Sequence, residues 1–154
     1  MITYTAYMQT SAGILQIKTN EEFVTNTSFV DVLGEDSYNK PRILSEAQKQ
    51  LEEYFSGRRK VFDLALFFQG TSFQENIWRT LLKIPYGKTV SYAEEAGLAG
   101  CERAVRAVAN ANGKNPIAII IPCHRIIRSD GSIGGYSGGV WHKEKLLLHE
   151  KNNY

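Results

Sequence analysis

Cysteine and histidine are scarce in this chain of 154 residues. Its two cysteines, Cys101 and Cys123, and its three histidines, His124, His142 and His149, form no CxxC or HxxxH pair. A structural zinc site is therefore not expected, and no metal is assigned. Long apolar runs are lacking as well, and none approaches the roughly 20 residues that cross a bilayer. The opening Met1-Ile2-Thr3-Tyr4-Thr5 has no basic region leading into an apolar one. No signal peptide is expected, which predicts a reducing, cytoplasmic setting with no membrane contact, no disulfide, and no use of the glycosylation acceptor Asn26-Thr27-Ser28. A strong excess of one charge is missing too, since the net value is +2. That small figure hides a split. Residues 1–77 carry seven Lys/Arg against ten Asp/Glu, a net of −3, while residues 78–154 carry eleven against six, a net of +5. The basic half suits a polyanionic partner, although an uneven solvated surface has the same signature.

What is present begins with short β-rich runs, Ile2 to Met8, Gly13 to Thr19 and Phe23 to Val32, which read as a small antiparallel sheet. Ser45 to Ser56 has helical spacing, with Ala47, Leu51, Tyr54 and Phe55 on one face and Gly57 at its end. Arg58-Arg59-Lys60 reads as a solvated loop and Val61 to Phe68 as extended, with a boundary between lobes at Gly70. The second lobe opens with a capping box, Ser72-Phe73-Gln74-Glu75, in front of Ile77, Trp78, Leu81 and Leu82. A second box, Ser91-Tyr92-Ala93-Glu94, starts a short helix that Gly97 to Gly100 breaks. A further helix is expected from Cys101 to Asn112, with Gly113 as its cap. The pair has the outline of a helix-turn-helix and equally of a plain helical hairpin. Alanines at 104, 107, 109 and 111 keep the second helix low, while Arg103, Arg106 and Asn110 share one face. Such a surface suits insertion into a DNA groove, and an Ala-rich helix with a solvated basic stripe would look the same. A final helix is expected from Val140 to about Lys151. The fold class is thus α/β in the α+β sense: a small antiparallel-sheet lobe with a helix, then a mainly helical lobe.

The chemistry centres on Ile121-Pro122-Cys123-His124-Arg125. The aliphatic run Ile117 to Ile121 reads as a strand buried on both faces, which Pro122 should end, leaving Cys123 at a rigid exit point. By itself the Cys-His pair fits both a reactive thiol and a small buried hydrophobe with an incidental neighbour. Further on, Gly131, Gly134, Gly135, Gly138 and Gly139 crowd nine residues, where backbone must approach a ligand or other backbone.

Taken together, Asn115-Pro116, Ile121 to Arg125, Tyr136-Ser137-Gly138-Gly139, Ile84 to Gly87 and Val90-Ser91-Tyr92 resemble the O6-alkylguanine-DNA alkyltransferases, the methylated-DNA–protein-cysteine methyltransferases. The resemblance is strongest from Phe73 to Glu150. It implies a ribonuclease-H-like lobe over residues 1–70 and a DNA-binding, catalytic lobe over 71–154. The implied reaction is irreversible transfer of an alkyl group from O6 of a guanine in double-stranded DNA to Cys123. No cofactor is implied, and the chain would act as a monomer. His124 would be the base, acting through a water, with Glu150 orienting it. An adjacent His backed by a carboxylate is expected to lower the thiol's pKa. Asn115 would hold the turn and Tyr92 would donate to the leaving guanine. The resemblance places Tyr136, Ser137, Ile126 and Asn112 around the alkylguanine and makes Arg106 the finger that replaces a flipped nucleotide. Gln74, Ser91, Ala93, Cys101, Arg103 and Ser129 fall where the family contacts DNA. Cys123 argues against a non-catalytic lesion-binding relative. A helix-turn-helix regulator and a cysteine hydrolase with a Cys-His-Glu triad remain as rivals, separable by sequence preference and by turnover.

Overall fold

The computed structural model describes residues 2–154. Strands β1 (Tyr4–Thr10), β2 (Gly13–Thr19) and β3 (Val24–Val30) form an antiparallel meander in the order β1-β2-β3. Thr10 faces Gly13 across a two-residue turn, so the register places Ala6, Leu15, Ile17 and Val24 on the buried face. Helix α1 (Arg42–Phe55) covers that face with Leu44, Ala47, Leu51 and Tyr54, all fully buried. It begins three residues before the expected Ser45. Pro41, extended at φ −65°, ψ 159°, is its N-cap, a position where a missing N–H costs nothing.

Helix α2 (Ser72–Leu81) is closed by a capping box one residue earlier than expected: Thr71 accepts from the Gln74 amide, and Gln74 reaches back to the Thr71 amide. The second box is as read, with Ser91 and Glu94 closing α3 (Tyr92–Leu98) directly after β4 (Val90–Ser91). Helix α4 (Val105–Gly113) starts four residues later than expected and includes Gly113, with Lys114 following as the cap. The cause is a turn at Gly100 (φ 77°) and Cys101–Ala104, which leaves Ala104 at φ −105°, ψ 34°. Arg103 therefore lies outside the helix that carries Arg106 and Asn110. The indole N–H of Trp78 donates to the Ala111 carbonyl at 2.9 Å and ties α2 to α4 over a small core of Ile77, Ala96, Val108 and Ala111.

The aliphatic run before the thiol is buried but is not a strand. Ile117 and Ala118 pair with Thr27 of β3, the chain reverses through Ile119 and Ile120, and Ile121 bridges back to Ala118. Ile119 pays for the reversal with φ 73°, a conformation costing about 1–3 kcal/mol in a β-branched residue. Burial of Ile117, Ile119, Ile120 and Ile121 outweighs it, at about 1.5–3 kcal/mol for each side chain. Pro122 then forms an inverse γ-turn (φ −83°, ψ 62°) in which the Cys123 amide donates to the Ile121 carbonyl at 2.9 Å. Residues Cys123–Arg125 make one 3-10 turn leading into β5 (Ile126–Ile127), which pairs in parallel with β4. Helix α5 (Val140–Asn152) closes the chain. The main core runs continuously from Ala6 and Leu51 to Trp78, Ile121 and Leu146, so sheet and helices share it.

Candidate active site

Cys123 lies on the wall of an open cleft of about 860 Å³, framed by Tyr92, Val105, Arg106, Asn112, Arg128, Tyr136 and Ser137. Six of the residues singled out from sequence thus converge: Cys123, Tyr92, Tyr136, Ser137, Asn112 and Arg106. A smaller cavity of about 180 Å³ reaches Cys123 from the β3 side, between Thr27, Asn115, Ala118 and Gly138.

Asn115 staples the turn. Its Nδ2 donates to the Ile121 carbonyl at 2.8 Å and to Cys123 Sγ at 3.2 Å, while its Oδ1 accepts from the Ile117 amide at 2.9 Å. Behind the thiol, His124 and Glu150 are fully buried and joined Nε2 to Oε2 at 2.6 Å. Glu150 also accepts two bonds from Arg125, Nε to Oε1 at 2.9 Å and Nη2 to Oε2 at 3.1 Å. The Tyr54 hydroxyl (2.7 Å) and the Gly87 amide (3.1 Å) complete its shell. So many donors hold the carboxyl well below the usual range, with the His124 bond the largest of the effects opposing its burial. An ionised Glu150 only accepts, which makes His124 Nε2 a donor and Nδ1 the basic nitrogen. Nδ1 makes no hydrogen bond within the protein. Burial pushes the imidazole down, so the neutral tautomer is favoured.

The thiol departs from expectation. Burial pushes Cys123 up to about 11, and the Asn115 hydrogen bond and the Lys143 charge only partly offset it. His124 does not lower it, because the imidazole is neutral. The site thus holds a thiol next in sequence to a neutral imidazole.

Tyr92 reaches under the glycine-rich loop. A Cβ on Gly134, which has φ 76°, would sit 2.8 Å from the Tyr92 hydroxyl, so only glycine fits there. Gly135 engages the same phenol through its backbone. Tyr136 is partly buried against the core, with its hydroxyl unpaired. Ile126 is fully buried in that core and does not line the cleft. Arg106 is exposed at the rim, and Arg103, Ala93 and Ser129 are exposed as well. Gln74 and Ser91 serve as helix-capping side chains, Ser91 being buried, and Cys101 is a half-buried free thiol.

Sequence reasoning passed over four residues. Tyr54 and Arg125 hold Glu150. Lys143, fully buried on α5, donates to the Gly135 carbonyl at 3.1 Å and sits 5.7 Å from the Tyr92 ring centroid. Burial pushes its ammonium down to about 8. Glu95, also fully buried, accepts from Asn112 Nδ2 at 2.7 Å. Only Arg125 carried a signal, as the last residue of the Pro-Cys-His-Arg block.

Two family models match. The 6-O-methylguanine DNA methyltransferase ribonuclease-like domain covers residues 3–68, and the DNA binding domain of the same description covers residues 72–152. A methylated-DNA–protein-cysteine methyltransferase of Methanosarcina barkeri is 48% identical over 132 residues, spanning 86% of this chain and 83% of its own length. One from Mycolicibacterium paratuberculosis is 42% identical, spanning 92% and 88%. The crystal structure of Mycobacterium tuberculosis O6-methylguanine methyltransferase superposes with a TM-score of 0.88 at 39% identity, covering 99% of this chain and 95% of that one. The Mycobacterium tuberculosis protein in complex with DNA superposes at 0.87 and 40% identity, covering 97% and 93%. No helix among the described residues is long and apolar enough to cross a membrane.

Proposed function

The chain belongs to the methylated-DNA–protein-cysteine methyltransferase family and repairs DNA by direct alkyl transfer, and we propose that Cys123 is the acceptor. The observation that carries this reading is the junction at Cys123. Its sulfur faces a cleft large enough for an extruded alkylguanine, while a fully buried His124–Glu150–Arg125 relay stands behind it.

In the proposed step, Sγ attacks the alkyl carbon and the carbon–O6 bond breaks as the carbon–sulfur bond forms. The thiol proton passes through a bridging water to His124 Nδ1. The resulting imidazolium is stabilised by Glu150. Negative charge arrives on the guanine, and the Tyr92 hydroxyl donates to it, since Gly135 engages the phenol from the other side. The imidazolium gives up its proton, the guanine anion takes one up, and the thioether stays on the protein. Asn115, donating to Sγ, stabilises the sulfur as it becomes anionic.

We assign residues 1–70 and 71–154 as the two lobes, the first a ribonuclease-H-like support. Tyr136, Ser137 and Asn112 wall the base pocket. Ile126 supports it from the core, and no metal or cofactor takes part. Arg106, projecting into the cleft from α4, fills the gap left by the flipped nucleotide, and the small α4 surface enters the minor groove. Gln74, Ser91, Ala93, Cys101, Arg103 and Ser129 are assigned to the DNA backbone contact. The protein acts as a monomer on one lesion, and its obligatory free thiol suits the reducing cytoplasm.

Intact mass after incubation with a duplex carrying O6-methylguanine tests the reading. One added methyl per molecule, mapped to Cys123, is expected. Turnover beyond one equivalent, as a cysteine hydrolase would give with an ester, or methylation at Cys101, overturns it.

A further inference from the structure

Glu95 on α3 and Asn112 on α4 meet below the cleft. Asn112 Nδ2 donates to Glu95 Oε1 at 2.7 Å, and each residue has one further buried oxygen, Glu95 Oε2 and Asn112 Oδ1, without a hydrogen-bond partner. Two orphaned oxygens in one pair are an unusual defect, because each costs about 1–3 kcal/mol when left unmet. As a carboxylate, Glu95 has no proton to offer Asn112, and Asn112 Oδ1 has none either. A single proton on Glu95 repairs both atoms at once. The acid's O–H donates to the amide oxygen while the amide N–H donates to the acid's carbonyl, which is the two-bond ring that carboxylic acids form with primary amides.

We propose that below neutral pH Glu95 is held as a neutral carboxylic acid, its proton bridging Oε2 to Asn112 Oδ1, and that this closed acid–amide pair fixes Asn112 as part of the cleft wall and keeps a second negative charge away from the Cys123 thiol. The functional part rests on the assignment of Cys123 as acceptor, whereas the protonation state does not.

The surroundings agree. Glu95 is fully buried, and burial, the largest influence on it, pushes the carboxyl up to about 7, the Asn112 bond and the Lys143 charge opposing. Lys143 from α5, Cys123 from the 3-10 turn and Tyr92 on α3 itself are the titratable groups coupled to it. Arg128 acts in turn on Tyr92 and Lys143. Glu95 makes no ion pair with Lys143, whose ammonium is bound to the Gly135 carbonyl instead. An ionised Glu95 is one of the influences that raise the thiol, and it opposes sulfur anion formation. The neutral acid removes that opposition. Glu95 is accordingly a positioning residue, acting through Asn112 and through its own lack of charge.

The test is Glu95→Gln, because an amide–amide pair reproduces both hydrogen bonds and cannot ionise. In the infrared difference spectrum between wild type and variant at about pH 6, the carbonyl stretch of a protonated carboxylic acid should be lost. Single-turnover rates on the methylated duplex should be close to wild type at about pH 6. By about pH 8.5, where the wild-type acid has ionised, the variant should be about three- to tenfold faster than wild type. If Glu95→Gln fails to fold, Asn112→Leu serves instead, and the acid carbonyl band should shift as its partner is lost. Absence of any acid band assignable to Glu95 at about pH 6 overturns the protonation state. An acid band present with no pH-dependent rate ratio overturns the functional role. Failure of Cys123 to accept methyl at all would strike the acceptor assignment and leave the infrared result standing.

Discussion

The hydroxyl of Tyr54, on the helix that packs against the N-terminal sheet, donates to Glu150 Oε2 at 2.7 Å across 96 residues of sequence. The bond is buried, and Tyr54 also meets Tyr86 edge-on with ring centroids 6.0 Å apart. His149, beside Glu150, turns its Nε2 to the Tyr54 carbonyl at 2.7 Å. Helix α1 therefore supplies part of the shell that fixes the Glu150 carboxylate.

Tyr54→Phe removes one charge-assisted hydrogen bond and leaves the ring in place. A loss of about 1.5–3 kcal/mol in stability is expected by urea unfolding at neutral pH. The alkyl-transfer rate should fall far less, because His124 and Arg125 still hold Glu150. A rate loss as large as that of Glu150→Gln would mean that Tyr54 acts in the chemistry rather than in support.

Glu150 also fixes the acid limb of stability. Its folded carboxyl lies far below the ordinary value of 4.5, so it contributes stability that is complete above that value. As pH falls below about 4.5 the unfolded chain takes up a proton that the folded protein refuses, and the contribution drains away. In Glu150→Gln that part of the acid-side decline should vanish while stability at neutral pH drops, since Arg125 is left buried with no anion. Thermal melts between about pH 3 and 7 check both. An unchanged acid limb would mean that another carboxylate governs it.

Arg125 differs from an ordinary surface arginine by its two bonds to Glu150 and a third, from Nη1, to the Ile84 carbonyl at 2.7 Å. Arg125→Lys keeps the charge but cannot form the fork, so it should rescue little. Arg125→Ala leaves a buried carboxylate without its cation and should cost about 3–5 kcal/mol. Denaturant midpoints of the two variants decide the matter, and a lysine variant as stable as wild type would reduce Arg125 to a simple charge.

Local features were legible in the sequence and long-range ones were not. The Ser91–Glu94 box and strand Gly13–Thr19 depend on neighbours within a few residues, and both form as read. The first box shifted by one because Thr71-Gln74 and Ser72-Glu75 satisfy the same pattern. Glu75 is instead drawn to the Gly70 amide and to Arg79. The Ile117–Ile121 run shows the limit of composition: burial of the side chains was readable, but the reversal at Ile119 depends on pairing with Thr27. The convergence of Cys123, Tyr92, Tyr136 and Asn112 on one cleft was implied by the family resemblance and not by any local pattern. Glu95, Lys143 and Tyr54 carried no such signal, because a charged or aromatic residue on an amphipathic helix looks the same whether it faces water or a buried partner.

A thiol raised to about 11 has a measurable consequence in the protein without substrate. At pH 7 only about one molecule in ten thousand carries thiolate at Cys123. Iodoacetamide alkylation of Cys123, followed by peptide mapping, should rise about tenfold for each pH unit with no plateau below about pH 10. A plateau near pH 7 would show instead that His124 lowers the thiol in the resting site.

Arg106 allows extrusion and chemistry to be separated. It is exposed at the cleft rim on α4, where it can enter a duplex, and no hydrogen bond to the relay behind the thiol is formed by its side chain. If it only fills the space left by a flipped nucleotide, Arg106→Ala should slow repair of a lesion in duplex DNA by roughly the factor that a few kcal/mol of unstacking implies. Free O6-benzylguanine pays no unstacking cost and should react with Cys123 at close to the wild-type rate. Tyr92→Phe should behave differently. In the proposed step its hydroxyl donates to the leaving guanine, so both substrates should slow, by about 2–4 kcal/mol in barrier if it is the principal donor. Single-turnover rates for the two variants on the two substrates give four numbers, and the expected pattern is crossed. Equal loss on both substrates from Arg106→Ala would place Arg106 in the alkylguanine pocket and leave the extruded strand without its finger.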